Sequence, residues 1–512
     1  MYKMAVMKKI LFAGIICALL NACNSQQTNN TETVKAEPFR PFIHFTPDTG
    51  WMNDPNGMVY HNGVYHLFFQ HYPDSTVWGP MHWGHATSTD LVHWQEQSIK
   101  IFPDSLGYIF SGSAVSDSLN TSGFGKDGKT PLIAIFTHHK IERENDGTNT
   151  HENQSIAYSL DDGATWTKYE GNPVLKNPGH RDFRDPKVGW HAESKKWIMT
   201  LAVGDRIMFY SSPNLKEWQK ESEFGDKVGA HGGVWECPDL FPVMHEGKKI
   251  WVLIVNLNPG APNGGSGTQY FTGDFDGKTF TPHSTETKWM DYGPDNYAGI
   301  TWSNTGDRKV LIGWMSNWLY ANKVPTKKWR SAMTVARELS IQKVGDGYFL
   351  ASVPVPELSK ASVDERKVET LAVQGKVNLT EKLGGTKLPF ILDAELAKAD
   401  DFSIIFSNNK GEELVIGYEK SSNQFFIDRS KAGLSGFHDQ FAGRHTAPRL
   451  SSSTDLSFSI VVDAASFELF ADKGLSVMTS IFFTENGFDE VNIQSEKGNT
   501  LIKGSLKTIS VK

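Results

Sequence analysis

Apolar residues in this chain fall in short runs that are separated by polar and glycine-rich turns. Examples are PLIAIFTH, KWIMTLAVG, KIWVLIVNL and KVLIGWM. Short runs rich in β-branched and aromatic residues, bounded by turn residues, are typical of β-strands. Two further runs, MVYH and VYHLFF, meet at Asn62-Gly63, a pair that favours the tight turn of a β-hairpin. No stretch has the spacing of a long amphipathic helix, so the pattern predicts an all-β protein.

The turns between the runs also repeat. STDLVHW, SLDDGATW, SPNLKEW and the weaker TGDFDGKTF each join a Ser, Thr, Asp or Asn turn to an aromatic residue, at Trp94, Trp166, Trp218 and Phe280. With RELSIQKVGDGYFL as the last unit, residues 39–355 divide into about five units of roughly four strands. Such repeated units indicate a β-propeller, here of five blades. A large β-sandwich with unrelated turns is the alternative.

The pattern changes after residue 355. We expect a linker over 356–369 and a second domain over 370–512. In this domain, short strands such as PFILDAEL, DFSIIFS, SFSIVVD, SFELFAD and VMTSIFF alternate with polar turns, and tryptophans are absent. Alternation of this kind is typical of a β-sandwich. The predicted fold is therefore a five-bladed β-propeller followed by a C-terminal β-sandwich.

The first residues are predicted to direct export. Lys8 and Lys9 precede the apolar run ILFAGIICALL, which is too short to span a bilayer and indicates a signal peptide over 1–22. The run ends in LNAC, which is similar to the bacterial lipoprotein signal and predicts lipid attachment at Cys23, followed by a flexible polar tether over 23–38. The expected location is a bacterial membrane, by default the outer membrane, on its periplasmic or surface side. Ordinary secretory cleavage is the alternative.

Composition narrows the function classes. The chain has 512 residues, 39% of them hydrophobic and 21% charged, as in a globular protein, and a formal net charge of -7. It has no long basic run, which excludes nucleic acid as the main partner, because binding to a phosphate backbone depends on clustered Lys and Arg. Besides Cys17 and Cys23 there is only Cys237, so an exported form is expected to rest on its core and not on disulfides. The substrate is expected to be neutral.

Three acidic residues stand in turn-like settings: Asp54 in WMNDPNG, Asp185 in FRDPK and Glu236 in VWECPDL. We expect DPNG to form a type I turn that places Asp54 at the start of a strand. A propeller gathers the inner strands of its blades around one axis, so acids far apart in sequence can meet in one pocket. Two carboxyl groups about 5 to 5.5 Å apart suit retaining glycoside hydrolysis, and apolar neighbours suit Glu236 to the role of proton donor. An Asp before Pro is also a common turn or cap residue, so spacing alone leaves both interpretations open.

WMNDPNG, FRDP and WECPD resemble, in order and separation, the signature motifs of glycoside hydrolase family 32, the β-fructosidases. FFQHYP, WGPMHWGHATSTDLVHW, YIFSGSAV, DYGPDNYAGITW, GWMSNW and SFELFAD also match, so the resemblance covers nearly the whole chain after the export signal. It implies the same two-domain architecture. It also implies that Asp54 is the nucleophile, Glu236 the general acid/base and Asp185 a stabiliser of the transition state. The sugar contacts that it implies are Asn53, Gln70, Trp78, Phe110, Ser111, Arg184 and Trp314.

One departure from the family pattern is Asn296 in GPDNYA, where an aromatic residue is more usual. With asparagine here, one wall of the expected pocket could differ from the family pattern. From the charges themselves we expect Arg184 to keep its neighbour Asp185 ionised. No cofactor is expected. No metal ion is expected either, because none of the histidine spacings matches a zinc hydrolase motif.

The predicted function is that of a retaining β-fructofuranosidase that hydrolyses levan or inulin, with sucrose as a further candidate, through a covalent fructosyl-enzyme intermediate. Release of single fructose units is the default, because exo action is the commoner mode in the family that the chain resembles. The alternatives are an endo-acting levanase, an arabinan-cleaving or fructosyl-transferring enzyme, and a fructan-binding lipoprotein without activity. The sequence leaves β-2,6 and β-2,1 linkages equally open.

Overall fold

The computed structural model describes residues 37–511. The predicted signal peptide over 1–22, the lipidation site Cys23 and most of the predicted tether lie outside the described residues. Within 37–511, no helix has the length and apolar character needed to cross a membrane. The helices in this range are short: α1 (Ile141–Asn145), a 3-10 helix (Ala321–Lys323), α2 (Pro356–Lys360) and α3 (Leu379–Lys382). The described chain is therefore almost all β.

Five sheets make up the N-terminal domain. Blade I contains β1 (Gly50–His61), β2 (Val64–Tyr72), β3 (His82–Ser88) and β4 (Gln95–Ile101). Blade II contains β5 (Tyr108–Ser116), β6 (Leu132–His139), β7 (Glu152–Ser159) and β8 (Thr167–Lys168). Blade III contains β9 (Arg184–His191), β10 (Lys196–Val203), β11 (Arg206–Ser212) and β12 (Gln219–Phe224). Blade IV contains β13 (Val234–His245), β14 (Lys248–Asn258), β15 (Gly267–Phe275), β16 (Phe280–Pro282) and β17 (Lys288–Trp289).

Blade V is interrupted by a strand that belongs to blade I. Blade V contains β18 (Tyr297–Thr301) and β19 (Val310–Met315), and the chain then contributes β20 (Trp329–Arg330) to blade I. It returns to blade V as β21 (Ala332–Met333), β22 (Arg337–Val344) and β23 (Gly347–Pro354). The last blade is therefore tied to the first.

The first strand of each blade lines a common axis. β1 contacts β5, β5 contacts β9, β9 contacts β13, β13 contacts β18, and β18 contacts β1. A second link between first and last blades is β20, which pairs in parallel with β1. The ring is therefore closed and has five blades, which confirms the predicted propeller.

Strand β1 shows which local predictions hold. Asn62 and Gly63 have φ values of 47° and 84° and connect β1 to β2, as the tight hairpin turn requires. DPNG, in contrast, is not a turn. Residues 54–57 lie inside β1, whose pairing with β2 shifts register between Met52 and Pro55. Proline has no N–H to donate to a sheet, so the strand bulges here instead of reversing.

A second all-β domain follows α2. Its strands are β24 (Ser362–Val368), β25 (Leu371–Asn378), β26 (Phe390–Ala397), β27 (Phe402–Ser407), β28 (Glu413–Glu419), β29 (Gln424–Lys431), β30 (Arg444–Pro448), β31 (Leu456–Val462), β32 (Ser466–Ala471), β33 (Ser476–Ile481) and β34 (Glu490–Ile509). The long strand β34 pairs with β24, β25, β26 and β27. Apolar side chains including Phe402, Ile404, Phe458 and Leu469 form the core of this second domain. The predicted sandwich is confirmed. The segment 356–369, expected to be a linker, differs: it contains α2 and β24, because residues 362–368 pair with β34.

Buried charged side chains join the two domains. Arg337 of the propeller donates to Glu468 of the sandwich (Nε to Oε2, 3.0 Å) and to Asp291 (Nη1 to Oδ2, 3.0 Å). His44, ahead of blade I, lies between Asp463 Oδ2 (2.7 Å) and Glu468 Oε1 (2.8 Å). Burial alone lowers the pKa of His44, but the hydrogen bonds and charges of the two carboxylates reverse this and raise it to about 9. These contacts hold the sandwich against the propeller.

Candidate active site

A β-bulge interrupts the first strand of every blade near its N-terminal end. The bulged residues are 53–54 in β1, 110–111 in β5, 185–186 in β9, 237–238 in β13 and 298–299 in β18. A bulge breaks the regular alternation of side chains and is a common means of aiming a functional group. Here the bulged regions of β1, β5, β9 and β13 bring their side chains to one cavity.

The sequence explains three of these bulges. Pro186 and Pro238 are bulged residues and Pro55 directly follows the bulge of β1; within sheets proline is confined to edges, strand starts and bulges. Asp185 and Cys237, which directly precede two of these prolines, have φ values of 62° and 42°. This left-handed region is unfavourable for residues with a Cβ, and residues held in it cluster at functional sites. The D-P and C-P pairs of the motifs are therefore bulge signals.

The cavity has a volume of about 260 Å³ and collects most of the predicted site. Gln70 Nε2, in a side chain that is buried, has no hydrogen-bond partner among the described residues. Nine of the ten side chains predicted to act in catalysis or sugar binding line the cavity: Asn53, Asp54, Gln70, Trp78, Phe110, Ser111, Arg184, Asp185 and Glu236.

Asp54 is held from two sides. Asn53 Nδ2 donates to Asp54 Oδ1 (2.9 Å), and Ser111 Oγ donates to Asp54 Oδ2 (2.7 Å). Asn53 is itself fixed by Trp51, whose Nε1 donates to Asn53 Oδ1 (2.7 Å). The thiol of Cys237 lies 3.5 Å from Asp54 Oδ2. These contacts fix the direction of the carboxylate, which a nucleophile needs in order to attack along one line.

Glu236 is bound by a cation on one oxygen and a phenol on the other. Arg184 donates to Oε1 through Nε (3.3 Å) and Nη2 (3.1 Å), and the Tyr297 hydroxyl donates to Oε2 (2.5 Å). Burial raises the pKa of Glu236, and the nearby Asp54 charge adds to this. Arg184 and Tyr297 lower the pKa but do not cancel the rise. A carboxyl group with a raised pKa beside a second carboxylate is what acid-assisted cleavage of a glycosidic bond requires.

Asp185 contacts the same cysteine as Asp54 does. Its Oδ2 accepts the N–H of Cys237 (3.0 Å) and lies 3.6 Å from the sulfur. Burial is the largest cause of a rise in the pKa of Asp185, which reaches about 8 once all its neighbours are taken together. Glu236 and Asp54 add to this rise, and the Arg184 charge opposes it without cancelling it. The expectation that Arg184 keeps Asp185 ionised is therefore wrong. The hydrogen bonds of the guanidinium go to other carboxylates, Glu236 among them.

Two further expectations differ from the structure. Trp314 is fully buried outside the cavity wall: its Nε1 donates to the Met52 carbonyl (3.1 Å), and its ring packs on Trp318, with 4.8 Å between centroids. It is Trp318 that lines the cavity. Asn296, which put a wall of the pocket in doubt, is buried away from the cavity lining and donates to Asp291 Oδ2 (3.1 Å). That substitution therefore leaves the described wall unaffected.

Several residues of the site were missed by sequence reasoning. Tyr297 and Trp318 lie in DYGPDNYAGITW and GWMSNW, so a signal was present, but not one that singled out these side chains. The others cluster around the connection from β6 to β7 and just before β9, where no motif pointed to them. They are His139, Glu144, His151, Glu152 and Asp182.

Among the described residues, His139, His151 and Glu152 are placed so that they could hold a metal ion. One potential ligand atom from each lies within 4.8 Å of the others. Both oxygens of Glu152 are already engaged, by Arg184 Nη1 (3.2 and 3.4 Å) and by the N–H of Phe183 (2.6 Å). A metal ion would also be repelled by the guanidinium at short range. The cluster is better described as a hydrogen-bond network around Arg184.

Comparison with known proteins shows which family has similar sequences. The model of the glycosyl hydrolases family 32 N-terminal domain matches residues 44–354, and the family 32 C-terminal model matches residues 357–512. The chain is 44% identical over 480 residues to the levanase of Bacillus subtilis strain 168, covering 91% of this chain and 70% of the levanase. It is 40% identical to the extracellular exo-inulinase of Aspergillus niger, covering 96% and 97%.

A solved structure supports the same conclusion. The crystal structure of exo-inulinase from Aspergillus awamori superposes with a TM-score of 0.84 at 37% identity, covering 93% of this chain and 99% of that one. The family models, the identity over most of both chains and the shared fold agree. The protein is a glycoside hydrolase, and its chain belongs to glycosyl hydrolase family 32.

Proposed function

We propose that the protein is an exported β-fructofuranosidase that releases fructose from the ends of levan or inulin, and from sucrose, with retention of configuration. The observation that carries this proposal is the meeting of Asp54 and Glu236 in one cavity, where Asp54 is held in position and burial raises the pKa of Glu236. The names of the levanase and exo-inulinase relatives support fructan as the substrate class.

In the first step Glu236 gives its proton to the glycosidic oxygen while an oxygen of Asp54 attacks C2 of the terminal fructosyl unit. The C2–O bond breaks, the rest of the substrate leaves as an alcohol, and an ester forms between Asp54 and the fructosyl unit. The hydrogen bonds from Asn53 and Ser111 direct the attacking carboxylate.

In the second step Glu236, now ionised, takes a proton from water, and the resulting hydroxide attacks C2 and breaks the ester. Two displacements at the same carbon restore the original configuration. Arg184 and Tyr297 stabilise the ionised form of Glu236 that this step begins with.

Asp185 has a different role from the other two acids. Its carboxyl group accepts the Cys237 N–H through Oδ2, which holds it in the cavity wall. We assign it to binding fructosyl hydroxyl groups. In its ionised form this carboxylate stabilises the positive charge that develops at C2 more strongly than it stabilises the neutral ground state, which lowers the barrier.

The size of the cavity supports exo action. At about 260 Å³ the cavity is small, as expected for a site that binds a terminal sugar unit. Attachment of a lipid at Cys23 would keep the enzyme at the membrane after export, and the word "extracellular" in the name of the Aspergillus niger relative supports export.

Incubation of the full-length protein with levan, inulin and sucrose, followed by chromatography of the products, tests the proposal. Fructose as the sole early product is expected, and NMR of the fresh product should show the β anomer first. A ladder of oligosaccharides would indicate endo action, longer products would indicate transfer, and binding without products would indicate a non-catalytic protein. Asp54→Ala is the matched control and should lose several orders of magnitude in rate while its circular dichroism spectrum stays unchanged.

A further inference from the structure

Glu152 is a buried carboxylate at the edge of the site that the mechanism above does not use. It begins β7, the third strand of blade II, and its side chain is 1% exposed. The Phe183 N–H donates to Oε2 (2.6 Å), and Oε1 faces His139 Nδ1 (3.3 Å). These two contacts place the carboxylate beside Arg184.

Arg184 is shared among three carboxylates. Nη1 donates to Glu152 (3.2 Å to Oε1) and to Asp182 (2.7 Å), while Nε and Nη2 donate to Glu236. The guanidinium is planar, so the Glu152 contact on one side sets the direction of the contact with Glu236 on the other. Its position and its effective charge at Glu236 both depend on Glu152.

The charges show in which direction Glu152 changes the pKa of Glu236. Burial would raise the pKa of Glu152, but Arg184, His139 and the Phe183 N–H lower it to about 2, so Glu152 is an anion throughout the working range. Its negative charge offsets the positive charge of Arg184 as seen from Glu236. Without that charge, the ionised form of Glu236 would gain stability, and Glu236 would lose its proton at a lower pH.

We propose that Glu152 is a positioning residue of the reaction: it holds the Arg184 guanidinium against Glu236 and limits the charge that Arg184 exerts there, so that Glu236 keeps its proton for the first step. The proposal rests on the proposed role of Glu236 as acid/base. A residue that served only to fold blade II would change the rate equally at every pH.

The test compares the pH dependence of kcat/KM for fructose release by wild type, Glu152→Gln and Glu152→Asp. Glu152→Gln keeps the shape of the side chain and removes its charge. It should move the basic limb of the profile, where kcat/KM falls as Glu236 loses its proton, to lower pH by about one unit or more. Glu152→Asp keeps the charge and should leave that limb close to the wild-type position, even if the rate falls. An unmoved limb in a folded Glu152→Gln protein, or equal shifts in both variants, would overturn the proposal.

Asp182→Asn provides a second route if Glu152→Gln does not fold. Asp182 pairs with the same Nη1 but is 23% exposed, so a smaller shift in the same direction is expected. No shift there would show that the charge balance of Arg184 does not control Glu236. Fructose release by wild type, with none from Asp54→Ala, distinguishes failure of this proposal from failure of the proposed function.

Discussion

Removal of the Tyr297 hydroxyl should shift the pH optimum of the enzyme upward. The hydroxyl donates to Glu236 Oε2 at 2.5 Å, and the residue is 1% exposed. Tyr297→Phe keeps the ring, which lies edge-on to Trp314 with 6.5 Å between centroids, so the packing is retained and a single hydrogen bond is lost.

The size of the shift follows from the strength of that bond. A hydrogen bond to a charged group contributes about 1.5 to 3 kcal/mol, and one pKa unit corresponds to about 1.4 kcal/mol. The Glu236 side chain is 21% exposed, so water replaces part of the lost bond, and a shift of about one unit is expected. The sign is upward, because the bond stabilises the ionised form of Glu236 and its loss favours the protonated form.

The assay is kcat/KM for fructose release between about pH 4 and pH 9, where the basic limb reports ionisation of the acid in the free enzyme. Tyr297→Phe should move this limb up by about one unit, opposite to Glu152→Gln. The second step should slow, since Glu236 must give up its proton before it can act as a base. A basic limb that stays in place, or moves down, would refute the assignment of Glu236 as the titrating acid.

Three further predictions concern the transition state and the domain interface. Asp185→Asn should lower kcat more than it raises KM; an unchanged kcat with a higher KM would contradict its role in the transition state. His44→Gln should remove about 3 kcal/mol from the free energy of unfolding; this contribution is complete below about pH 6.5 and is lost as the pH rises to about 9. The melting temperatures of wild type and variant, plotted against pH, should therefore converge at alkaline pH. A constant difference between them would contradict the ion pairs with Asp463 and Glu468. Arg337→Ala leaves buried carboxylates without a partner and should cost about 3 to 5 kcal/mol, seen as a lower melting temperature; an unchanged melting temperature would show that the carboxylates find other partners.

The sequence predicts the features that depend on neighbouring residues. Asn62-Gly63 forms the expected turn because both residues tolerate positive φ. DPNG has equally good turn chemistry, yet it lies within a strand, because pairing of β1 with β2 outweighs the local preference. The acid motifs were identified as a set because their order and separation resemble those of the family 32 signature motifs.

Features that depend on contacts across the ring could not be predicted. Which of two nearby indoles faces the cavity is set by the packing of blade V, so Trp314 was chosen where Trp318 lines the wall. The pairing of Arg184 with Glu152 joins two blades, and no pattern in the sequence marks it. The charge state of Asp185 was misjudged for the same reason, since the net effect of several groups requires their positions.

The bulges on the five inner strands have a consequence for how activity arises during folding. Asp54, Asp185 and Glu236 lie in blades I, III and IV, so an intermediate that lacks any one of these blades has no complete catalytic site. Strand β20, which ties the last blade to blade I, follows in the chain all the strands that carry the three acids. Recovery of turnover after denaturation is therefore expected to require all the blades that carry these groups, whereas spectroscopic signals of β-structure report any blade that has formed.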